Sequence, residues 1–392
     1  MRRFISILAA AASLVLAGCS DDDLKVPAGV SVEDVEMYPG EPYHIAGQGF
    51  ETGDLIVFES SDSQYRFQAS VLDGNVYSDG ADIFLPDQFI YELEYRVYLV
   101  RGIQRVLLGT AVFHRGLMQE FRVMSSNIRV YGGDSGDKTS PHFWDNRKAA
   151  LISMYKDKSP DIIGIQEAYF NSQWLYLKEQ LEPEGYELIG RSIDNWDDEP
   201  NMNNASQVVG IVFKKDRFSL IRWGVFSLSE TPDEPMLGQA PGFGASYKRQ
   251  ATWAELELAE NGRHIFMLNT HLDTKSDEVR KLELELILAR IEMYNTDNLP
   301  VFMTADWNMG ATSSVFDMIR DSFELSRTTA PVSDKTLGTF NGWGESSSFL
   351  DHIWYSSGKG VIPLTYKVVN EQYDPEIEYY SDHWSIYSDF QY

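Results

Sequence analysis

The chain predicts an α/β domain preceded by a small all-β domain, and three observations carry that reading. Up to about Arg115, short runs alternate apolar and polar residues with period two and are broken by Gly-Asp and Asp-Gly turns. Past Gly116, strand-like runs interleave with longer helical stretches. Within that second part, polar motifs stand at the tips of apolar runs that read as buried strands.

The first element is a leader, residues 1–18. Arg2 and Arg3 precede the apolar stretch FISILAAAASLVLA, which is too short for an ordinary membrane span and reads as a signal peptide. Leu16-Ala17-Gly18-Cys19 resembles the bacterial lipobox. Cys19 is the only cysteine, so no disulfide forms within the chain. The resemblance implies a lipidated Cys19, each buried CH₂ of its acyl chains contributing about 0.8 kcal/mol to anchoring. A plain signal peptide with an incidental cysteine is the alternative. Residues 19–28 form an acidic tether whose Ser20-Asp21-Asp22-Asp23 is similar to the export signal of surface lipoproteins in Bacteroidetes. That similarity implies an outer-membrane, outward-facing protein.

Residues 29–116 contain the runs HIAGQGF, DLIVFES, YRFQASV, ADIFLP, EYRVYLV and RVLLGTAVFH, the pattern of a small β-sandwich. Gly47-Gln48-Gly49-Phe50 followed by Gly53-Asp54 resembles the Ig-like IPT/TIG type of module. Tyr43, Tyr91, Tyr95 and Tyr98 are placed either to stack on carbohydrate or to pack within the sheet, and packing is the commoner use of strand aromatics. With no catalytic constellation in it, this segment reads as a spacer or docking module.

In residues 117–392, Asp145 is a candidate N-cap for a helix running to about Asp157, and Pro160-Asp161 introduces the next strand. Ser172 to Leu181 reads as a second helix. Ser276 or Asp277 caps a longer one, where Val279, Leu282, Leu286 and Ala289 recur at helical spacing. Met293 and Met303 read as core filling. The sequence shows no internal repeat, no Walker-type phosphate loop and no second apolar span.

The informative residues are Asn127 after FRVMSS, Glu167 after DIIGIQ, His271 after HIFMLNT, Asp306 and Asn308 after PVFMTA, Asp351 before HIWYSS, and Asp382-His383 before WSIYSDF. Strands are directional, so residues that follow some strands and precede others meet at one edge of a mixed sheet. Each alone has a bland explanation: an Asx turn for Asn127, a helix cap for Asp306, a satisfied core imidazole for His271, solvated loop polarity for Asp382-His383. Together they gather carboxylates, carboxamides and imidazoles in one place. Such a cluster repels itself unless a cation or proton compensates it. Glu167, a hard oxygen donor closing an apolar run, is the best candidate for a direct ligand to Mg²⁺.

In order, MSSNIRV, PDIIGIQEA, YKRQATWAEL, MLNTHLD, MTADWN, FLDHIW and YSDHWS resemble the endonuclease/exonuclease/phosphatase superfamily over residues from about 121 to 390. The resemblance implies a four-layer α/β sandwich of two mixed β-sheets flanked by helices, with divalent-metal-dependent phosphoester hydrolysis by in-line attack of water. It implies Mg²⁺, with Mn²⁺ as a substitute, and adds Asn127 and Asp382 to Glu167 as metal ligands. It assigns Asp306 to orienting or deprotonating the water and Asn308 to fixing the geometry. His383, steered by Asp351, and His271 are implied to contact the phosphate. The chain departs from the family pattern at Ala305 and Trp307 around the Asp-x-Asn motif, at His352 after Asp351, and at Ser385 where a proline is usual. None of the chemically required positions is lost. Zinc pairs of the H-x-x-x-H kind, C-x-x-C and the G-x-S-x-G elbow are absent.

Substrate signals are thinner. The formal charge of -26 opposes non-specific binding to nucleic acid, where cationic side chains must replace condensed counterions. Few basic residues cluster beyond Lys214-Lys215 and Lys248-Arg249. Residues 191–206 and 230–250 read as rim loops. Within them Arg249 is a candidate phosphate clamp, with a surface ion pair as the alternative. Trp196, Trp343 and Trp384 are candidate stacking surfaces. A small or head-group phosphoester is therefore expected, with membrane contact through the lipid anchor and no obligate protein partner. A nuclease, a sphingomyelinase- or phospholipase-type enzyme and a non-catalytic surface binding protein are the competing readings.

Overall fold

The computed structural model describes residues 27–86, 88–132, 137–197 and 206–392. The leader, Cys19 and the tether up to residue 26 lie outside them, as do residues 198–205 of the first rim loop. Contacts divide the described chain into two compact units. One runs up to Met37 and resumes over Pro42–Arg115; the other comprises Tyr38–Glu41 and Gly116–Tyr392.

The N-terminal unit is all β. Strands β1 (Ala28–Ser31), β3 (Pro42–Gln48) and β6 (Gly80–Phe84) make one sheet. A second sheet has the order β2 (Val35–Met37), β8 (Gln104–Arg115), β7 (Glu94–Arg101), β4 (Leu55–Ser60) and β5 (Arg66–Ser70). Period-two alternation on β7 buries Tyr95, Val97 and Leu99. Tyr43 and Tyr95 belong to this core, Tyr91 packs against it, and Tyr98 lies under the Arg105 guanidinium. The tyrosines thus pack the unit and are not a carbohydrate platform. Asp54, fully buried, is held bidentately by Arg101 at 2.7 and 2.8 Å, which explains how a carboxylate is tolerated there.

The C-terminal unit packs two mixed sheets face to face between helices. Its elements in chain order begin with β9 (Glu120–Asn127), α1 (Trp144–Lys158), β10 (Ile162–Tyr169), α2 (Leu175–Leu181), β11 (Tyr186–Ile189), β12 (Gln207–Lys214) and β13 (Phe218–Ser227). They continue with β14 (Gln250–Leu258), β15 (His264–His271), α3 (Asp277–Tyr294), β16 (Val301–Asp306), β17 (Phe323–Leu325) and α4 (Ser326–Thr329). β18 (Val332–Ser333), β19 (Asp351–Ser356), β20 (Ile362–Val368) and β21 (Ile386–Gln391) complete the unit. The sheet orders are β11-β12-β10-β9-β21-β20-β18 and β13-β14-β15-β16-β19-β17.

Both faces of the central strands are buried, so their sequences read as near-continuous apolar runs, and alternation sorts the side chains between layers. Val123, Ile162, Met267, Phe302 and Ile353 point between the sheets. Their neighbours Met124 and Ile163 face the layer of α1 and α2. Leu268, Met303 and Trp354 face that of α3. Continuing along the inner face, the side chains change from apolar to polar: Ser125, Asn269 and Thr304 follow Val123, Met267 and Phe302, all buried. Gly164 sits in this polar row, where a Cβ would meet Thr304 Oγ1 at 2.0 Å and Asn269 Oδ1 at 2.5 Å.

Local details correct the sequence expectations. Helix α1 is capped by extended Phe143; Asp145 lies inside its first turn and pairs with Lys148. The second helix opens as a π-turn over Phe170–Trp174 before α2. Of the two candidate caps for α3, Ser276 is the one that accepts the Val279 N–H. Its buried stripe is Val279, Glu283, Leu284, Ile287 and Ile291, while Leu282 and Met293 are exposed. A polar Glu283 inside that stripe hid the phase of the helix from periodicity. Met303 is buried as expected.

Gly164→Ala should destabilise the protein by about 3 kcal/mol, because the methyl group forces apart two sheets that share a polar row. Urea denaturation checks this; a loss below about 0.5 kcal/mol would show that the inter-sheet layer yields.

Candidate active site

Topology brings the site together. β15 and β16 run parallel and place His271 opposite Asp306 at their C-terminal ends. β19 runs antiparallel to β16 and begins with Asp351 opposite the same Asp306. In the facing sheet, β9 and β10 are parallel and end at Asn127 and just past Gln166, while β21 begins antiparallel to β9 shortly after Asp382-His383. Asn127, His271, Asp306 and Asp351 continue the inner-face rows that are apolar deeper in the sandwich, so alternation alone aims them at a common point.

Glu167 breaks that parity. Gln166 takes the inner-face position, and strict alternation would turn Glu167 outward. A register shift between Ile165 and Ala168, with Glu167 at φ +65°, swings its carboxylate back to the site. Its Oε1 accepts from Asn127 Nδ2 at 3.2 Å and its Oε2 from the Val130 N–H at 2.9 Å.

Asp306 is the hub. Oδ1 accepts from the Asn308 N–H at 2.9 Å, and Oδ2 from Asn127 Nδ2 at 2.9 Å. The Nε2 atoms of His271 and His383 approach the same Oδ2 at 3.4 and 3.5 Å. Burial pushes the Asp306 carboxyl up to about 7; the His383 charge opposes this and Asp351 reinforces it. For His383, burial by itself would lower the pKa. Asp351, bonded to Nδ1 at 2.9 Å, Asp306 and Asp382 outweigh it and raise the imidazole to about 10. His271 goes the other way. Burial first, then Arg249, His383 and Arg129, hold it well below 6.5 and keep it neutral. A neutral ring accepts from Asn308 Nδ2 at Nε2, 2.9 Å away, and Asn308 also donates to the Leu272 carbonyl.

Glu167, His271, Asp306, Asn308, Asp382 and His383 line a cavity of about 650 Å³ together with Arg129, Tyr247, Arg249, Phe340 and Trp343. Arg249 is almost fully buried, with Nε 3.6 Å from Asp273 Oδ2. Asp273 in turn accepts the N–H groups of Ser246, Tyr247 and Lys275, and its own N–H donates to buried Glu283. Lys248 turns to the other rim loop and pairs with Asp194 at 2.7 Å. Trp343 lines the cavity with its ring stacked on His142, centroids 4.1 Å apart. Trp196 bonds Gln250, and Trp384 packs into the core beside Tyr379 and Tyr380, so Trp384 is no stacking surface for a ligand.

The departures from the family pattern are accommodated locally. Trp307 fills the outer core and donates to the His352 carbonyl. His352 points away from the cavity, buried and pushed down to about 4 by that burial, so it is a neutral core group. The Ser385 N–H donates to the Tyr380 hydroxyl at 2.8 Å, a donor that proline lacks.

Sequence reasoning missed Arg129, which lies 3.4 Å from Asp382 and 4.0 Å from Glu167. It also missed the buried pair that holds the Arg129 backbone, Arg147 and Gln173, each 2.8 Å from its carbonyl. The signal available was the basic residue two places after Asn127 in SSNIRV.

The donor set fits a hard divalent cation. Glu167, Asp306 and Asp382 line the cavity, Asp351 lies against His383, and buried Asp351 Oδ1 has no hydrogen-bond partner. Among the described residues, Asp306, Asp351 and His383 offer potential ligand atoms within 4.8 Å of one another, a buried Asp/Asp/His group consistent with a divalent metal site. In that trio the imidazole is already engaged by Asp351 and held protonated, which leaves the oxygens of Glu167, Asp382 and Asn127 as the alternative ligand set.

Residues 124–383 match the family model described as Endonuclease/Exonuclease/phosphatase family. The chain is 22% identical over 316 residues to the CCR4-Not complex 3'-5'-exoribonuclease subunit Ccr4 of Aspergillus niger, covering 63% of this chain and 47% of that protein. It thus spans about half the length of that relative. It is 23% identical over 299 residues to nocturnin of Xenopus laevis, covering 69% of this chain and 72% of the other. Among solved structures, an endonuclease/exonuclease/phosphatase family protein of Bacteroides thetaiotaomicron superimposes with a TM-score of 0.62 at 24% identity, covering 70% and 99% of the two chains. The mannosyl-6-phosphatase of the same species gives 0.60 at 25% identity, covering 69% and 99%.

Two titrations test these electrostatics. In Asp351→Asn, the His383 pKa read by NMR should fall from about 10 to below the ordinary value near 6.5. Because the raised value stabilises fully below 6.5 and fades as pH climbs through 10, the variant's deficit in Tm should shrink toward pH 10. Burial pushes Glu283 up to about 8, against the Asp273 N–H and Arg249. That group therefore costs stability progressively as pH rises from about 4.5 through 8. Glu283→Gln should flatten this slope and gain about 1–3 kcal/mol at pH 8; an unchanged slope would exclude Glu283 as its source.

Proposed function

The chain belongs to the endonuclease/exonuclease/phosphatase family, and we propose that it is a divalent-metal-dependent phosphoester hydrolase of the cell envelope acting on a small phosphorylated molecule or head group. The observation that carries this reading is the Asp306 hub, a buried carboxylate whose Oδ2 is approached by His271 and His383 Nε2 at 3.4 and 3.5 Å and accepts from Asn127 at 2.9 Å.

Glu167, Asp382 and Asn127 would hold Mg²⁺ or Mn²⁺. When bound, such an ion neutralises phosphate charge and lowers the pKa of a coordinated water. The remaining steps belong to the side chains. Asp306, poised near 7 and oriented by the Asn308 N–H and Asn127, accepts the proton of the attacking water. His383, cationic and fixed by Asp351, donates to a phosphoryl oxygen as negative charge develops there. Neutral His271 and Asn308 form a second contact for the phosphoryl group and support departure of the leaving oxygen. Arg249, backed by Asp273, clamps the anion from the 230–250 loop.

Three facts support a small substrate. The cavity has the volume of a small-molecule site. The chain carries a net charge of -26, and a structural neighbour matched over 99% of its own length bears the name mannosyl-6-phosphatase. A sugar phosphate is the leading class. The likeness to Ccr4, an exoribonuclease subunit, favours RNA as the second reading. Cys19 lipidation, an outer-membrane surface location and an IPT/TIG-like spacer at residues 29–116 complete the proposal, supported by the leader sequence and the β-rich N-terminal unit.

Hydrolysis of sugar phosphates or an aryl phosphate should require Mg²⁺ or Mn²⁺ and vanish with EDTA. Asp306→Asn should lower kcat by about 10³ with little change in melting temperature. Wild-type turnover by Asp306→Asn would overturn the role given to that carboxylate. Faster cleavage of oligoadenylate than of any sugar phosphate would move the substrate to RNA.

A further inference from the structure

Arg129 is built into the site in an uncommon way. Its backbone adopts φ +55°, a left-handed conformation that costs a side-chain-bearing residue energy. Four interactions hold it there. Its N–H donates to Asn127 Oδ1 at 3.0 Å, and its carbonyl accepts from Arg147 Nη2 and Gln173 Nε2, each at 2.8 Å. The neighbouring Val130 N–H donates to Glu167. Arg147 and Gln173 are themselves buried and held by backbone partners: Arg147 donates also to the carbonyls of His142, Ile128 and Tyr380, and Gln173 Oε1 accepts from the N–H groups of Tyr131 and Tyr169. The π-turn ahead of α2 is what presents Gln173. This scaffolding directs the guanidinium to two carboxylates from distant parts of the chain, Nε 3.4 Å from Asp382 and Nη1 4.0 Å from Glu167.

We propose that Arg129 is the resident counter-cation of the metal site: its guanidinium bridges Glu167 and Asp382 until a divalent ion takes those carboxylates, and so sets the affinity of the site. The proposal rests on the ligand set given above. A buried and a partly buried carboxylate facing one cavity repel each other, and a guanidinium at 3.4–4.0 Å relieves that repulsion. A divalent ion then gains the carboxylates only by displacing or sharing the guanidinium. The protein thereby trades metal affinity for order in its metal-free state. The tethered guanidinium stays at the cavity wall, where a phosphate oxygen is its natural next partner.

The test is calorimetric titration of the full protein with Mn²⁺ alone, with no substrate present. Asparagine tolerates the left-handed backbone and carries no charge, so Arg129→Asn is the informative variant. It should bind Mn²⁺ roughly tenfold more tightly than wild type. Metal-free, it should melt at a lower temperature than wild type and gain more in Tm from Mn²⁺. Arg129→Lys, which keeps the charge, should stay near wild-type affinity. Unchanged or weaker binding by Arg129→Asn would overturn the proposal. Should that variant fail to fold, phenylglyoxal labelling of the wild type decides: Mn²⁺ should raise modification of Arg129, and no change would count against displacement. A failed phosphatase assay alongside tighter Mn²⁺ binding by Arg129→Asn would sink the enzymatic reading and leave this one standing.

Discussion

One buried carboxamide sets the two sheets against each other. Asn269, on β15 of the six-stranded sheet, donates across the interface to the carbonyls of Ile165 and Gly210, both at 2.8 Å. Its own oxygen accepts from Gln166 Nε2 at 2.6 Å and Thr304 Oγ1 at 3.1 Å. All of its hydrogen-bonding capacity is thereby used in the buried inter-sheet row, three of the four bonds crossing to the other sheet. The polar groups of the site come from both sheets, so the distances among them follow from where one sheet stands on the other. A purely apolar interface would allow sliding; directional bonds one residue row below the site do not.

Above that row, the site is a problem in charge balance. Carboxylates from Glu167, Asp306, Asp351 and Asp382 face two imidazoles and two guanidinium groups lining the same cavity or its wall. The environment pushes similar side chains apart: His271 is held neutral and His383 cationic, though both approach one oxygen of Asp306. The hydrogen bond to Asp351 makes the difference, since His271 has no carboxylate at its other nitrogen. Divergence of that kind lets one site accept and donate protons at the same pH.

Much of this was legible in the sequence, for a definite reason. A strand buried on both faces must be apolar to its end, so a polar residue at the tip stands out, and strand direction tells which tips meet. That logic reached Asn127, His271, Asp306, Asp351 and the Asp382-His383 pair without coordinates. It did not reach the bulge that re-aims Glu167, because a register shift leaves no periodic trace. The π-turn was read as ordinary helix, since one extra residue in a turn does not alter composition. Arg147 and Gln173 act through the Arg129 carbonyl, and Arg129 reaches carboxylates from distant segments, placements that exist only in three dimensions. The stripe of α3 was misphased for the converse reason. Glu283 is buried where polarity predicts exposure, and its partner is a main-chain N–H supplied by another segment.

The rim carries a consequence for how such a pocket changes its ligand. Lys248 and Asp194 join the two bordering loops directly, and Trp196 reaches Gln250 beside them. The segments are latched, and the one that bears Arg249 takes part of its shape from the other. A graft of either loop alone from a related protein would open the latch and release the arginine along with it. Selectivity in this architecture is therefore inherited as a pair of segments, transferable together and lost when separated.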